Sequence, residues 1–119
     1  MCDLNNYPYQ LRLFNDWHPP EGWYPRTIMK KDKDGNCVWY LNGKRHRDGG
    51  LPAIEWASGS KEWWVNGKQH RDGGLPAVEW ANGDKQWWIN DKRHRDDGLP
   101  AVEWANGSKQ WWIDGKRVK

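Results

Sequence analysis

Three histidines, His46, His70 and His94, recur every 24 residues, and each opens the triplet His-Arg-Asp. Imidazoles in such a register could form a metal row or a proton relay, so their separation decides between chemistry and structure. Equivalent residues of neighbouring hairpin repeats sit about 10 Å apart at the usual strand spacing, too far to share a zinc that holds its nitrogens at about 2.0–2.1 Å. The expectation is structural: each ring packs on a tryptophan and bonds a backbone group or the Asp two positions on. His-Arg-Asp is also a kinase catalytic-loop string, but no lysine strand, glycine-rich phosphate loop or Asp-Phe-Gly accompanies it. The triplet reads better as a corner, with Arg47, Arg71 and Arg95 pairing with Asp48, Asp72 and Asp96 or with Glu55, Glu79 and Glu103. An active site needs dissimilar residues converging on one reacting atom, whereas each of these residues has a near-copy 24 positions away. The sequence points to no catalytic residue, no metal and no cofactor, and so to a protein that is not an enzyme.

A second set of residues suits binding. Tyr40, Trp64, Trp88 and Trp112 also recur every 24 residues, flanked by Arg45, Gln69, Arg93 and Arg117. Flat rings in a row beside guanidinium or amide groups can stack on sugars, bases or the apolar side chains of a partner. The competing expectation is that this ladder packs against the amino-terminal segment or a second copy of the chain.

The elements that must position both sets are repeats, over 39–62, 63–86 and 87–110, with a partial copy at 111–119. Residues 1–36 read as a degenerate capping repeat: YQLRLFND echoes KQWWIND, HPPEGWYP echoes HRDGGLP, and Pro8, Pro19, Pro20 and Pro25 suit a sheet edge. Two strands are expected over 27–31 and 36–41, around the turn KDKDG. From Asn42 onward the turn dipeptides Asn42-Gly43, Ser58-Gly59, Asn66-Gly67, Asn82-Gly83, Asn90-Asp91, Asn106-Gly107 and Asp114-Gly115 mark hairpin bends. A two-residue loop at Asn82-Gly83, preferred to a three-residue one, sets Trp80 opposite Lys85 and Val78 opposite Trp87. That register gathers Val78, Trp80, Trp87, Ile89 and His94 on one face and Ala77, Glu79, Gln86, Trp88 and Arg93 on the other. The first face then holds the packing ladder Trp39, Trp63, Trp87 and Trp111, with Trp56, Trp80 and Trp104 beside it.

The composition fits this arrangement. The 119-residue chain has 12 tryptophans, so large rings replace an aliphatic core despite a mean hydropathy of −1.18. A formal charge of +3, with cations and carboxylates interleaved, argues against nucleic acid. No apolar run approaches the roughly 20 residues of a membrane-spanning helix, and MCDLNNYPYQ lacks the regions of a secretory signal. The expected location is intracellular, in the host cytoplasm or virion if viral, with Cys2 and Cys37 as free thiols.

The succession WWINDKRH, a glycine corner and a strand ending in WANGSK resembles the MORN repeat, most of all the variant MORN-like repeats of bacterial antitoxin-like proteins and large DNA viruses. The likeness covers residues 37–119 well and 7–36 faintly. It departs from the usual pattern where Trp and Arg47, Arg71 and Arg95 replace glycines. The resemblance implies an all-β, single-layer antiparallel β-meander, elongated and twisted, with a role in protein binding or assembly, or in lipid association. The last transfers poorly, because no dense basic cluster is present. Trp-rich hairpins also look like choline- and glucan-binding repeats, which makes a carbohydrate-binding solenoid the alternative to a protein scaffold or self-association. Nucleic-acid and membrane-surface binding are weaker readings.

Overall fold

The computed structural model describes residues 28–119; Cys2, the four prolines and most of the expected capping repeat lie outside the described residues. The two strands expected around KDKDG are present as β1 (Ile28–Lys31) and β2 (Cys37–Leu41), antiparallel with Met29 opposite Trp39. The turn between them is held by Asp32, whose carboxylate accepts the backbone N–H groups of Asp34 and Asn36. Cys37 is buried and disulfide-bonded, so the expectation of a free thiol fails for that residue.

After β2 every strand is two residues long. β3 (Lys44–Arg45) returns along the end of β2, and the next repeat supplies β4 (Ile54–Glu55), β5 (Lys61–Glu62), β6 (Trp64–Val65) and β7 (Lys68–Gln69). The same quartet recurs as β8 (Val78–Glu79), β9 (Lys85–Gln86), β10 (Trp88–Ile89) and β11 (Lys92–Arg93). It recurs again as β12 (Val102–Glu103), β13 (Lys109–Gln110), β14 (Trp112–Ile113) and β15 (Lys116–Arg117), each strand 24 residues beyond its counterpart. The first two strands of each quartet join an open antiparallel sheet in the order β1-β2-β4-β5-β8-β9-β12-β13, and the last two form a separate small hairpin. The described residues are thus all-β, without a helix, in a sheet that does not close on itself.

One residue makes the break between sheet and hairpin. The backbone N–H of Trp63 donates to Ala77 O, just before β8, and its carbonyl accepts the N–H of His70 in its own hairpin. Trp87 does the same with Ala101 and His94, and Trp39 with Ala53 and His46. The ladder partner therefore changes at the tryptophan; the three rings are at most 7% exposed, and Ala53, Ala77 and Ala101 are fully buried. Trp111 at the last copy is half-buried.

Two kinds of turn share one dipeptide. At Asn42-Gly43, Asn66-Gly67, Asn90-Asp91 and Asp114-Gly115 the loops have two residues, both at positive φ, as type I′ turns require. At Asn82-Gly83 the expected two-residue loop is not found. Val78 lies opposite Gln86 and Glu79 opposite Lys85, leaving the three-residue loop 81–83. Gly83 N–H donates to Trp80 O, Trp80 N–H donates to Asp84 O, and only Gly83, at φ +102°, is left-handed. This is a type I turn closed by a glycine bulge, stabilised by Asp84 N–H donating to Asn82 Oδ1. Loops 57–59 and 105–107 close the same way.

The one-residue change of register also overturns the expected faces. Val78 shares its face with Gln86 and Val102, not with Trp87. Trp80 is 39% exposed instead of packed in the core with Val78.

Successive repeats are joined by polar side chains at their turns. Ala57, Ala81 and Ala105 donate their backbone N–H groups to Asn36 Oδ1, Ser60 Oγ and Asp84 Oδ1 of the preceding repeat. In the small hairpins the N–H groups of Gly67, Asp91 and Gly115 reach back to the carbonyls of Arg45, Gln69 and Arg93.

Candidate functional site

The corner residues form one constellation, built three times. In each His the Nδ1 atom accepts a backbone N–H of the next hairpin: Asn66 for His46, Asn90 for His70 and Asp114 for His94, all at 3.0 Å. With Nδ1 accepting, the ring proton sits on Nε2, which donates to Asp48, Asp72 or Asp96 at 2.7 Å. Among the described residues no three His, Cys, Asp or Glu side chains come together as a metal-holding group. Each ring instead ties one repeat to the following one.

The adjacent arginine packs into its own repeat. The guanidinium carbons of Arg47, Arg71 and Arg95 lie 3.7, 3.7 and 3.8 Å from the ring centroids of Trp39, Trp63 and Trp87. The same groups donate to the carbonyls of Pro52, Pro76 and Pro100 and to the carboxylates of Glu55, Glu79 and Glu103. Of the two acidic rows considered from sequence, the arginines use the glutamates and the histidines use the aspartates. Burial pushes Arg47 below the usual arginine value, and Glu55 opposes the shift. The indole N–H groups of Trp63, Trp87 and Trp111 close the corner by donating to Gly50 O, Gly74 O and Gly98 O of the preceding repeat.

The second aromatic ladder is arranged as cross-strand pairs. Tyr40 faces Arg45, Trp64 faces Gln69, Trp88 faces Arg93 and Trp112 faces Arg117. Arg45 reaches forward to 5.0 Å from the Trp64 ring, and Arg93 stands between Trp88 and Trp112 at 5.2 and 4.8 Å. Arg93 Nε is buried there without a hydrogen bond, compensated by two ring faces. The indole N–H groups of Trp64, Trp88 and Trp112 donate to Glu62, Gln86 and Gln110. Buried Glu62 also accepts the Trp56 indole and the Gln69 amide. The ladder is thus half-buried and interleaved with the chain's own cations, not a row of bare rings.

Between consecutive corners lies an open cleft that sequence reasoning missed. One, of about 280 Å³, is walled by Leu51, Leu75, Val65 and Trp64 and rimmed by Asp48 and Asp72. Its counterpart one repeat on, of about 290 Å³, is walled by Leu75, Leu99, Ile89 and Trp88 and rimmed by Asp72 and Asp96. Leu51, Leu75 and Leu99 are 40, 49 and 45% exposed. The available signal was the Leu-Pro pair after each glycine corner: the proline is buried, and the leucine is left outside. No family model, no curated protein and no solved structure matches this chain.

Proposed function

We propose that this chain is a non-catalytic scaffold that holds a protein partner, or a further copy of itself, along the corner side of a repeat array. In this reading the 24-residue unit is MORN-like and the array is a single-layer, elongated, twisted meander. The observation that carries it is the repetition of one open cleft, with exposed leucines on its walls, between successive corners. Repetition of identical weak sites suits avidity, and exposed apolar rows rimmed by polar groups suit interfaces. Trp64 and Trp88 act here as cleft walls. The interleaving of Arg93 between Trp88 and Trp112 weighs against the sugar-platform alternative, because the facing sides of those two rings are already covered.

The test is the paired substitution Trp64→Ala and Trp88→Ala. Pull-down from the source organism and sedimentation of the purified chain should show loss of association, while the far-ultraviolet circular dichroism stays β. Unchanged association in both measurements would refute the scaffold role of this side.

A further inference from the structure

We infer that the two inter-repeat clefts take an extended, polyproline-II segment of a protein partner, one that carries basic and aliphatic side chains at three-residue spacing. This deepens the scaffold reading and rests on it. Charge is the first argument. The corner arginines Arg47, Arg71 and Arg95 also line the clefts, but each is stacked on a tryptophan and gives Nη1 to a proline carbonyl and a glutamate carboxylate, so its charge is met by a glutamate of the array. The aspartates are different: each gives one oxygen to a histidine, and the side chains of Asp48, Asp72 and Asp96 remain 51, 91 and 81% exposed. The rim therefore offers carboxylate to a partner and the walls offer leucine, a combination complementary to a basic and aliphatic segment.

Spacing is the second argument. Equivalent groups of neighbouring repeats are two strands apart, about 9.4–9.8 Å. A polyproline-II helix brings every third side chain to the same side after about 9.3 Å, so residues i and i+3 would reach consecutive clefts. An extended β-strand turns residue i+3 to its opposite side. An α-helix is about 10–12 Å across with its side chains, so it would ride over the leucines instead of entering between them. The indole walls, Trp64 and Trp88, supply the aromatic surface on which proline-rich segments dock.

The probe is a synthetic peptide of about twelve residues repeating Arg-Pro-Leu, titrated against the full chain by fluorescence anisotropy. It should bind about tenfold more tightly than a scrambled peptide of the same composition and than one with Glu for Arg. Its binding should weaken several-fold between about 50 and 500 mM salt. Leu75→Ser, which alters both clefts at an exposed position, should reduce binding about tenfold, and Asp72→Asn should reduce it several-fold with circular dichroism unchanged. Equal binding of the scrambled or acidic peptide, tighter binding of a leucine- and arginine-bearing helical heptad peptide, no effect of Leu75→Ser, or no binding at all would overturn the inference. If the peptide fails while Trp64→Ala with Trp88→Ala still abolishes association, only this partner class falls. If neither peptide binding nor association is seen, the scaffold reading falls with it.

Discussion

Replacement of Arg71 by alanine tests whether the His-Arg-Asp corner is structural. The side chain is 18% exposed and makes three separable contacts: the Trp63 ring face at 3.7 Å, Pro76 O at 3.0 Å and Glu79 Oε2 at 3.2 Å. A partly desolvated cation over an indole is worth about 0.5–2 kcal/mol. Loss of the charged donor to Pro76 O, on a buried residue, costs about 1–3 kcal/mol because the carbonyl loses its partner. The pair with Glu79, whose carboxylate is 37% exposed, adds about 0–1 kcal/mol after solvent screening. Together these give an expected loss of about 1.5–6 kcal/mol for Arg71→Ala, most of it from the ring and the carbonyl.

Urea denaturation followed by tryptophan fluorescence reads this loss directly, since the stacked ring is itself the probe. In a double-mutant cycle with Glu79→Gln the coupling should be no more than about 1 kcal/mol. Arg71→Lys keeps the charge but loses the planar stack, and should recover less than half of the stability. Arg47→Ala should cost more than Arg71→Ala, because the Arg47 side chain is only 4% exposed and Glu55 is better covered than Glu79. A cost below about 0.5 kcal/mol for Arg71→Ala would refute the corner assignment. So would a cycle in which Glu79→Gln accounts for the whole loss.

His70→Leu removes the acceptor of the exposed Asn90 N–H and should cost about 0.5–1.5 kcal/mol; hydrogen exchange at the Asn90 amide should accelerate, and unchanged protection would contradict the inter-repeat bond. Asp32 is held below the ordinary carboxylate range, first by the Asn36 backbone N–H and then by the Asn36 amide. Its folded value being depressed, the stability it contributes is present above the unfolded value of about 3.9 and is lost as pH falls through the folded one. A carboxyl-carbon NMR titration of Asp32 with its midpoint at or above the ordinary range would refute this.

The all-β architecture and its 24-residue step were legible because turn dipeptides and tryptophans recur without insertion. The type I′ loops were legible too, since Asn66 and Gly67 both occupy left-handed backbone that few other pairs tolerate. Asn82-Gly83 misled because the same two residues serve another turn, in which glycine alone is left-handed and asparagine is an acceptor. The difference lies in which strand pairs outside the loop, a tertiary fact. Trp63 is buried, and Trp64 is half-buried beside Arg45. The His-Asp contact was within reach because it is local. The bond from His Nδ1 to a residue 20 positions on was not, since it needs the next hairpin to be in place. The disulfide at Cys37 was hidden because spacing shows no pairing.

What the repeat leaves unused argues for its role more strongly than what it contains. The corner arginines and histidines, Glu55, Glu79 and Glu103, and the indole N–H groups of Trp63, Trp87 and Trp111 are groups that first suggest chemistry, and here each has a partner inside the array. They act as joints: histidine between hairpins, arginine between tryptophan and glutamate, indole N–H onto the preceding glycine corner. Remaining in every corner are a leucine and an aspartate carboxylate oriented toward solvent. The aspartate gives one oxygen to its histidine and keeps the other toward solvent, and the leucine, 40–49% exposed, leaves apolar surface in water. In the proposed reading, apolar and acidic groups repeated at the array's own spacing form a template that another chain can match step by step, with Trp64 and Trp88 of the second aromatic ladder as its walls.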